Sequence, residues 1–300
     1  MHNFRLLYFL VFVLAGCSRF GASRKLTRLA GGFEAQIGDY PYLVASLHPK
    51  IRCTASIIHP EWVLGAAHCY IANMTVVNEN DVLLVAGIVD FFDIEAKSRQ
   101  ERVAKSLHIH PKFEEIRISG SDLCLVNVNA FELTPEVEPI LVSGRPFIIN
   151  KKKLCTATGW GDTGRNKANT VLHGLSVVAV QSRSICRGLN LRERKNMICL
   201  KGNNGRGLCD GDSGGPLICD GELVGIAHQV YIEKYKYKKP SDMDCGSKKI
   251  VHTYMFTCPY LNWIHSFVPD VPAKPEKCFE GSNVMIRREQ HLVLQGYNNV

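Results

Sequence analysis

Residues 209–216 read CDGDSGGP, in which a serine stands between an aspartate and two glycines. A serine hydroxyl is a poor nucleophile until a base removes its proton. Glycines beside the serine allow backbone N–H groups to approach a developing oxyanion. The stretch therefore predicts that Ser213 is a nucleophile on a tight, glycine-rich turn.

Two motifs upstream carry the groups that such a serine needs. AAHC at 66–69 follows the strand-like WVL at 62–64, and SDLCLV at 121–126 places an aspartate before an apolar run. Histidine is the natural base, and a buried carboxylate fixes its tautomer. Taken singly, the motifs have simpler interpretations as a core or surface histidine, a capping aspartate and a flexible turn. Their chain order, histidine, aspartate and then serine, is one of the known orders of a catalytic triad.

Together with GWG at 159–161, these motifs resemble the trypsin/chymotrypsin-like serine protease family. The resemblance implies that Ser213 is the nucleophile, His68 the general base and then acid, and Asp122 the orienting carboxylate. It also implies an oxyanion hole formed by the backbone N–H groups of Gly211 and Ser213.

Strand signals along the chain agree with such a fold. Short apolar or alternating runs recur between turn residues, at Tyr42–Leu47, Cys53–Ile58, Asp81–Gly87, Asp122–Val128 and Leu172–Gln181. An Asp220-Gly221 turn between Leu217–Cys219 and Glu222–Ala227 is a strong hairpin signal. Many short strands favour an all-β sandwich or barrel. The resemblance narrows this to two packed antiparallel six-stranded β-barrels, closed by a short C-terminal helix at Tyr260–Val268.

The N-terminal residues predict export. In residues 1–17, Arg5 precedes the unbroken apolar run Leu6–Leu14 and two small residues, the form of a secretory signal peptide. The run is shorter than the roughly 20 apolar residues of a membrane span. LAGC at 14–17 leaves a bacterial lipoprotein cleavage site as an alternative. We expect a secreted, extracellular protein with no membrane span.

The leader is followed by three further segments. Residues 18–28 are interpreted as an activation propeptide, and residues 29–268 as the protease domain. Residues 269–300, which begin with three spaced prolines, are interpreted as a partly disordered C-terminal extension.

A basic segment before the domain suggests activation by cleavage. KLTR at 25–28 precedes LAGG at 29–32, so we expect an activating protease to cut after Arg28. The freed amino group of Leu29 would then pair with Asp212 and switch the oxyanion hole into shape. Relatives usually begin with Ile or Val followed by Val, so Leu-Ala is a departure. The alternative is an ordinary basic linker.

Twelve cysteines in 300 residues are many for a reduced cytosolic enzyme. By resemblance, four disulfides are expected: Cys53–Cys69, Cys155–Cys219, Cys186–Cys199 and Cys209–Cys245. Outside the leader, Cys124, Cys258 and Cys278 remain. Cys124 is interpreted as a buried thiol, and pairing of Cys258 with Cys278 is a hypothesis, since connectivity cannot be read from sequence. The odd total leaves an intermolecular bridge open.

The substrate pocket departs from the family pattern. Gly207, six residues before Ser213, stands where relatives that cleave after Arg or Lys carry an aspartate, and a buried cation would have no partner there. Val230 and His252 align with the two wall glycines. A valine narrows the pocket and favours small apolar residues. His252 favours either an acidic side chain, through its imidazolium, or simply fills space.

One further departure lies beside the wall. The family commonly has Ser-Trp-Gly here, whereas this chain has His228-Gln229-Val230. The family serine contacts the catalytic carboxylate, so we expect His228 to change how Asp122 is held.

The basic charge has a local origin. The formal net charge is +8, but residues 1–28 hold five basic residues and no acid. Residues 231–249 hold six lysines and three acids. A nucleic-acid partner therefore loses its main support, and no zinc-finger or RNP pattern replaces it. The insertion at 231–244 is interpreted either as an exosite for acidic protein or glycan or as a solvated loop.

Asn73-Met74-Thr75 is a glycosylation sequon. The sequence assigns no metal and no cofactor, and we expect a monomer. The leading hypothesis is a secreted serine endopeptidase made as a zymogen, which acts on protein or peptide substrates. The alternatives are a weakly active or inactive homologue with a binding or regulatory role, and a basic binder of anionic surfaces through residues 231–249.

Overall fold

The computed structural model describes residues 32–49, 51–114, 121–162, 169–182, 184–186, 189, 191–202, 207–232, 245 and 247–280. The predicted leader and cleavage site, most of the lysine-rich insertion, and residues 281–300 lie outside these ranges.

Strands dominate the described residues. In chain order they are β1 (Phe33–Glu34), β2 (Leu43–His48), β3 (Ile51–His59), β4 (Trp62–Gly65), β5 (Ile71–Ala72), β6 (Thr75–Val76), β7 (Leu83–Ala86), β8 (Gln100–Val103), β9 (Ser106–Ile109), β10 (Cys124–Asn127), β11 (Phe147–Ile148), β12 (Lys153–Gly159), β13 (His173–Ala179), β14 (Met197–Lys201), β15 (Pro216–Cys219), β16 (Glu222–Ile232), β17 (Ile250–Phe256) and β18 (Phe279–Glu280). The α-helices are α1 (Leu191–Arg194) and α2 (Leu261–His265), and short 3₁₀ helices span Ala67–Tyr70, Glu79–Asp81 and Cys258–Tyr260.

The first barrel is one curled antiparallel sheet in the order β8-β7-β2-β3-β4-β10-β9. Strands β8 and β9 lie at opposite ends of this order, although only Ala104 and Lys105 separate them in the chain. One continuous segment therefore pairs with β7 through its first half and with β10 through its second half, which closes the sheet on itself. The break between these halves raises the strand count from the expected six to seven.

The second barrel has the order β1-β13-β12-β15-β16-β17-β14. A bridge between Val180, just after β13, and Cys199 of β14 closes the six strands from β13 to β14 into a barrel. The seventh strand is the two-residue β1, which pairs with β13 through Phe33 and Gly174. Apolar side chains of both sheets share one large core. The predicted all-β fold with two packed antiparallel barrels is confirmed.

The predicted hairpin is present between β15 and β16. Asp220 and Gly221 both have positive φ, 53° and 78°, as a tight two-residue turn with the twist of the flanking strands requires. Strand β16 runs on to Ile232, beyond the predicted end at Ala227, and this extension carries residues of the candidate site.

The C-terminal segment is anchored as far as Glu280. Helix α2 is shorter than the predicted Tyr260–Val268, since Tyr260 belongs to the preceding 3₁₀ helix and the helix ends at His265. Cys258 and Cys278 form a disulfide, and β18 pairs in parallel with β11. Phe279 also packs on Phe256 of β17, with ring centroids 4.9 Å apart. This part of the predicted extension therefore belongs to the folded body. Among the described residues, no helix has the length and apolar character to cross a membrane.

Candidate active site

The pairing of β4 with β10 brings His68 and Asp122 together. Cys124 lies opposite Gly65 in this ladder, His68 follows β4 in a 3₁₀ helix, and Asp122 precedes β10. Both side chains therefore leave the same end of the first barrel. His68 Nδ1 lies 2.6 Å from Asp122 Oδ2, and the backbone N–H of His68 donates to Asp122 Oδ1 at 2.8 Å.

Asp122 is a completely buried carboxylate. Burial by itself raises its pKa, but the imidazoles of His68 and His228 outweigh that effect and hold the pKa below the ordinary range. The preceding residue, Ser121, adopts φ of 52°, which is uncommon for a residue with a Cβ. The site thus contains a carboxylate that is ionised at neutral pH and fixed by its partners.

His228 enters the site through an irregularity of β16. In the pairing of β16 with β17, Ala227 lies opposite Tyr254 and Gln229 opposite Thr253, so His228 is the extra residue of a β-bulge. Bulges redirect side chains, and they are common beside active sites. His228 Nδ1 lies 2.5 Å from Asp122 Oδ2, and its side chain is 2% exposed.

Ser213 lies where the two barrels meet. Its carbonyl accepts the backbone N–H of Thr54, in β3, at 2.9 Å. The next residue, Gly214, has φ of 80°, and a Cβ there would approach the carbonyl oxygen of Thr54 more closely than the 3.0 Å limit of real contacts. The same Cβ position is 3.1 Å from the nitrogen of Ala66, two residues before His68. Glycine at 214 therefore lets the serine turn rest on the element that carries the histidine.

Thr54 is a site residue that the motifs did not reveal. Its hydroxyl donates to the carbonyl of Gly211 at 3.0 Å, so it holds the predicted oxyanion loop as well as the serine turn. The available signal was its position next to Cys53, which the structure bonds to Cys69 beside His68.

Asp212 is buried between two backbone donors. Its carboxylate accepts the N–H of Gly161 at 2.8 Å and that of Cys209 at 2.9 Å. Burial raises its pKa to about 7 despite these two hydrogen bonds, which act in the opposite direction. Its predicted partner, Leu29, lies outside the described residues, as does Arg28.

The three predicted pocket residues come together. Val230 of β16 lies opposite His252 of β17 in the sheet register. The N–H of Leu208 donates to His252 Nδ1 at 3.2 Å, which places the imidazole proton on Nε2. A Cβ at Gly207 would collide with that Nε2. Because burial lowers the pKa of His252 to about 4, the imidazole is neutral at neutral pH.

All four disulfides implied by the resemblance are formed, at Cys53–Cys69, Cys155–Cys219, Cys186–Cys199 and Cys209–Cys245. The Cys258–Cys278 hypothesis also agrees with the structure. Cys124 is a free thiol. Burial raises its pKa, so it is protonated and unreactive.

Asn73, the residue of the glycosylation sequon, is exposed at the turn between β5 and β6, with φ of 53°.

The cluster of His68, Asp122 and His228 has the residue types of a metal site. Its nitrogen–oxygen separations of 2.5 and 2.6 Å are shorter than the roughly 2.7–2.9 Å of typical charge-assisted N–H···O bonds. Two ligands at zinc bond lengths in a tetrahedral site stand about 3.3 Å apart. In a second described cluster, Cys53, His68 and Cys69, both sulfurs are joined in a disulfide and are not free to bind a metal. The separations among His68, Asp122 and His228 therefore fit direct hydrogen bonds better than shared ligation of a zinc ion.

Comparison with known proteins gives consistent matches. A family model described as Trypsin matches residues 29–264. The chain is 25% identical to trypsin II-P29 of Gallus gallus over 88% of this chain and 98% of the relative. It is 30% identical to snake venom serine proteinase 14 of Crotalus adamanteus, over 82% and 89% respectively. It is 29% identical to kallikrein-15 of Saguinus oedipus, over 79% and 90%.

Proposed function

Because this chain belongs to the trypsin family of serine proteases, we propose that it is a secreted serine endopeptidase made as a zymogen. The observation that carries the proposal is the pairing of His68 Nδ1 with a completely buried Asp122, at 2.6 Å, beside the turn of Ser213. A solvated surface histidine would need no such carboxylate, whereas a general base needs its tautomer fixed.

The proposed reaction has two halves, acylation of Ser213 and hydrolysis of the acyl-enzyme. His68 acts first as base and then as acid in each half. Ser213 Oγ attacks the peptide carbonyl carbon while His68 Nε2 takes the hydroxyl proton. The carbon–nitrogen bond breaks as His68 returns that proton to the leaving amine, and an acyl-enzyme remains. Water then attacks the ester with His68 again as base, and the serine is released when the proton is returned to it. Asp122 stays ionised throughout and stabilises the imidazolium.

The oxyanion would be stabilised by the N–H groups of Gly211 and Ser213. Among the described residues, neither N–H donates to a backbone carbonyl. Thr54 supports this role, since it holds the carbonyl of Gly211 and the carbonyl of Ser213 at the same time.

Activation would act on Asp212. A carboxylate that burial keeps half protonated near neutral pH is suited to a cationic partner that arrives later. The proposal is that an activating protease cuts after Arg28 and that the new amino group of Leu29 supplies that cation. Residues 1–17 would then be the signal peptide and residues 18–28 the propeptide of the protease domain at 29–268.

The pocket supports cleavage after residues other than Arg or Lys. Gly207 offers no carboxylate, and the neutral imidazole of His252 fills the space above it. Val230 lies beside His252 in the sheet, at the position of the other wall glycine. We therefore propose a shortened pocket that accepts small apolar side chains. An acidic side chain would need an imidazolium, which the lowered pKa of His252 opposes.

The same filled pocket favours a second candidate, a weakly active or inactive secreted homologue that acts by binding. His252 and Val230 occupy positions where the family has glycines, so substrate access is reduced in either case.

Secretion is supported by five disulfides, which persist in oxidising compartments. Asn73 is the proposed glycosylation site, and the anchored C-terminal segment is proposed to be part of the secreted body.

The test is turnover of a peptide library by the protein cleaved after Arg28. We expect cleavage after small apolar residues, none by Ser213→Ala, and none by an Arg28→Gln protein that cannot be activated. Absence of turnover by the cleaved protein would favour the binding candidate. Strong cleavage after Arg or Lys would contradict the pocket assignment.

A further inference from the structure

Two imidazoles donate to the same carboxylate oxygen. His68 Nδ1 and His228 Nδ1 lie 2.6 and 2.5 Å from Asp122 Oδ2, while Oδ1 accepts the backbone N–H of His68. We propose that His228 is a positioning residue, which clamps Asp122 in the orientation that holds His68 for catalysis. The inference rests on the proposed function, because it assigns His228 a role in that same reaction.

The hydrogen bonds to Asp122 show which nitrogens of His68 and His228 carry a proton. An ionised carboxylate only accepts, so both Nδ1 atoms carry hydrogen. His68 therefore keeps the lone pair on Nε2, where a proton from Ser213 would arrive. The two rings meet edge to face with centroids 6.3 Å apart, so they approach one oxygen from different directions. Between them they determine the rotation of the carboxylate about its side-chain bond.

The bulge in β16 gives His228 its direction. In an uninterrupted ladder, residue 228 would take a paired position opposite β17, whereas the bulge leaves it outside the pairing of Ala227 and Gln229. Backbone bonds of the flanking residues hold this geometry: Ala227 exchanges hydrogen bonds with the serine turn, donating to Gly215 at 2.7 Å and accepting from Gly214 at 2.8 Å. The clamp is thus rigidly connected to the turn that carries Ser213.

An imidazole clamp differs from the hydroxyl that the family commonly places here. A hydroxyl rotates, and it accepts as well as donates. The Nδ1–H of a ring with 2% of its side chain exposed has one direction, set by packing. His228 therefore restricts Asp122 more strongly than a serine would, and it leaves the buried charge with three donors.

The first test is proton NMR of the intact wild-type protein with ¹⁵N-labelled histidine. Short N–H···carboxylate bonds give strongly downfield proton signals, so two are expected at neutral pH, each coupled to an Nδ1. The signal of His228 should vanish in His228→Asn, and that of His68 should remain. A single downfield signal in the wild type, or two in the variant, would overturn the inference. This readout needs no activity, so it also succeeds if the chain is not a protease.

The second test compares kcat and KM after activation. His228→Leu removes the donor at similar size, whereas His228→Asn keeps an N–H near the Nδ1 position. We expect His228→Leu to lower kcat about 10- to 100-fold at unchanged KM, as misplacement of a catalytic group does. His228→Asn should recover activity to within about threefold of wild type. Equal losses in both variants, or a loss confined to KM, would overturn the positioning role. If His228→Leu does not fold, the NMR result and His228→Asn decide.

Discussion

His252 occupies the space beside Gly207 that any side chain at position 207 would need. A Cβ on Gly207 would meet His252 Nε2 and also lie 2.9 Å from the carbonyl of Cys245. His252 is held there by the N–H of Leu208, and it is 1% exposed, so it cannot swing away freely. In the proposed pocket, the base would therefore be shaped by a side chain of β17.

Because His252 fills this space, an aspartate at position 207 should not by itself give cleavage after Arg or Lys. Gly207→Asp should destabilise the protein by about 1–3 kcal/mol through overpacking and should not confer cleavage after Arg or Lys. The double variant with His252→Gly should recover part of that stability and gain that cleavage, because the contact with the Cys245 carbonyl remains. Thermal unfolding and kcat/KM on Arg and Ala peptides measure both effects. A single variant as stable as wild type would show that His252 moves aside.

The pairing of Asp122 with His68 predicts a large catalytic effect. Asp122→Asn presents an amide in place of a carboxylate, so the histidine loses the acceptor that fixes its tautomer, and kcat should fall about 10⁴-fold. The exposed Asp93→Asn is the matched control and should leave kcat unchanged. Comparable activity of Asp122→Asn and wild type would remove Asp122 from the mechanism.

Asp212 predicts a pH dependence of stability in the uncleaved chain. Its pKa is about 7 when folded and near 3.8 as a free side chain, so the folded state holds more protons between these values. Its contribution is neutral below about pH 4 and becomes unfavourable as the pH rises to 7, where it amounts to a penalty on the order of 4 kcal/mol.

Urea unfolding of wild type and Asp212→Asn from pH 4 to 7 measures this penalty. Wild type should lose stability relative to the variant as the pH rises, and cleavage after Arg28 should abolish that loss by supplying a cation. A difference between the two proteins that is constant across this range would contradict the assignment.

The disulfide Cys258–Cys278 predicts that the C-terminal segment supports the second barrel. Replacing both cysteines with serine should cost about 3 kcal/mol and release β18 from β11. Limited proteolysis should then cut within residues 269–277. Lys277→Ser, at an exposed neighbouring position, is the control. Unchanged resistance to proteolysis would show that strand pairing and Phe279 are sufficient.

The all-β class was predictable from local signals, and the two-barrel arrangement from the family resemblance. The quoted alternating runs located their strands to within a few residues, and the Asp220-Gly221 hairpin was identified from a two-residue pattern. The strand count was not predictable. The break at Ala104-Lys105 follows from closing the barrel, and β1 depends on pairing with a strand some 140 residues away in the chain.

The catalytic motifs of the candidate site were predictable, but the contacts that bring other residues to it were not. His68, Asp122 and Ser213 stand in recognisable surroundings. The departure at His228 was visible, but its direction depends on a bulge that only the register of β16 with β17 defines. The filling of the pocket by His252 likewise requires the approach of two segments 45 residues apart, which no local pattern encodes.

We propose that Ser213 becomes an activated nucleophile when the chain is cut after Arg28. Mass spectrometry of the protein before and after that cleavage, following exposure to a fluorophosphonate, tests this activation. We expect one adduct per cleaved molecule, located on Ser213, with little on the uncleaved chain and none on His68→Ala. A cleaved, folded protein that carries no adduct on Ser213 would show that the serine is not activated.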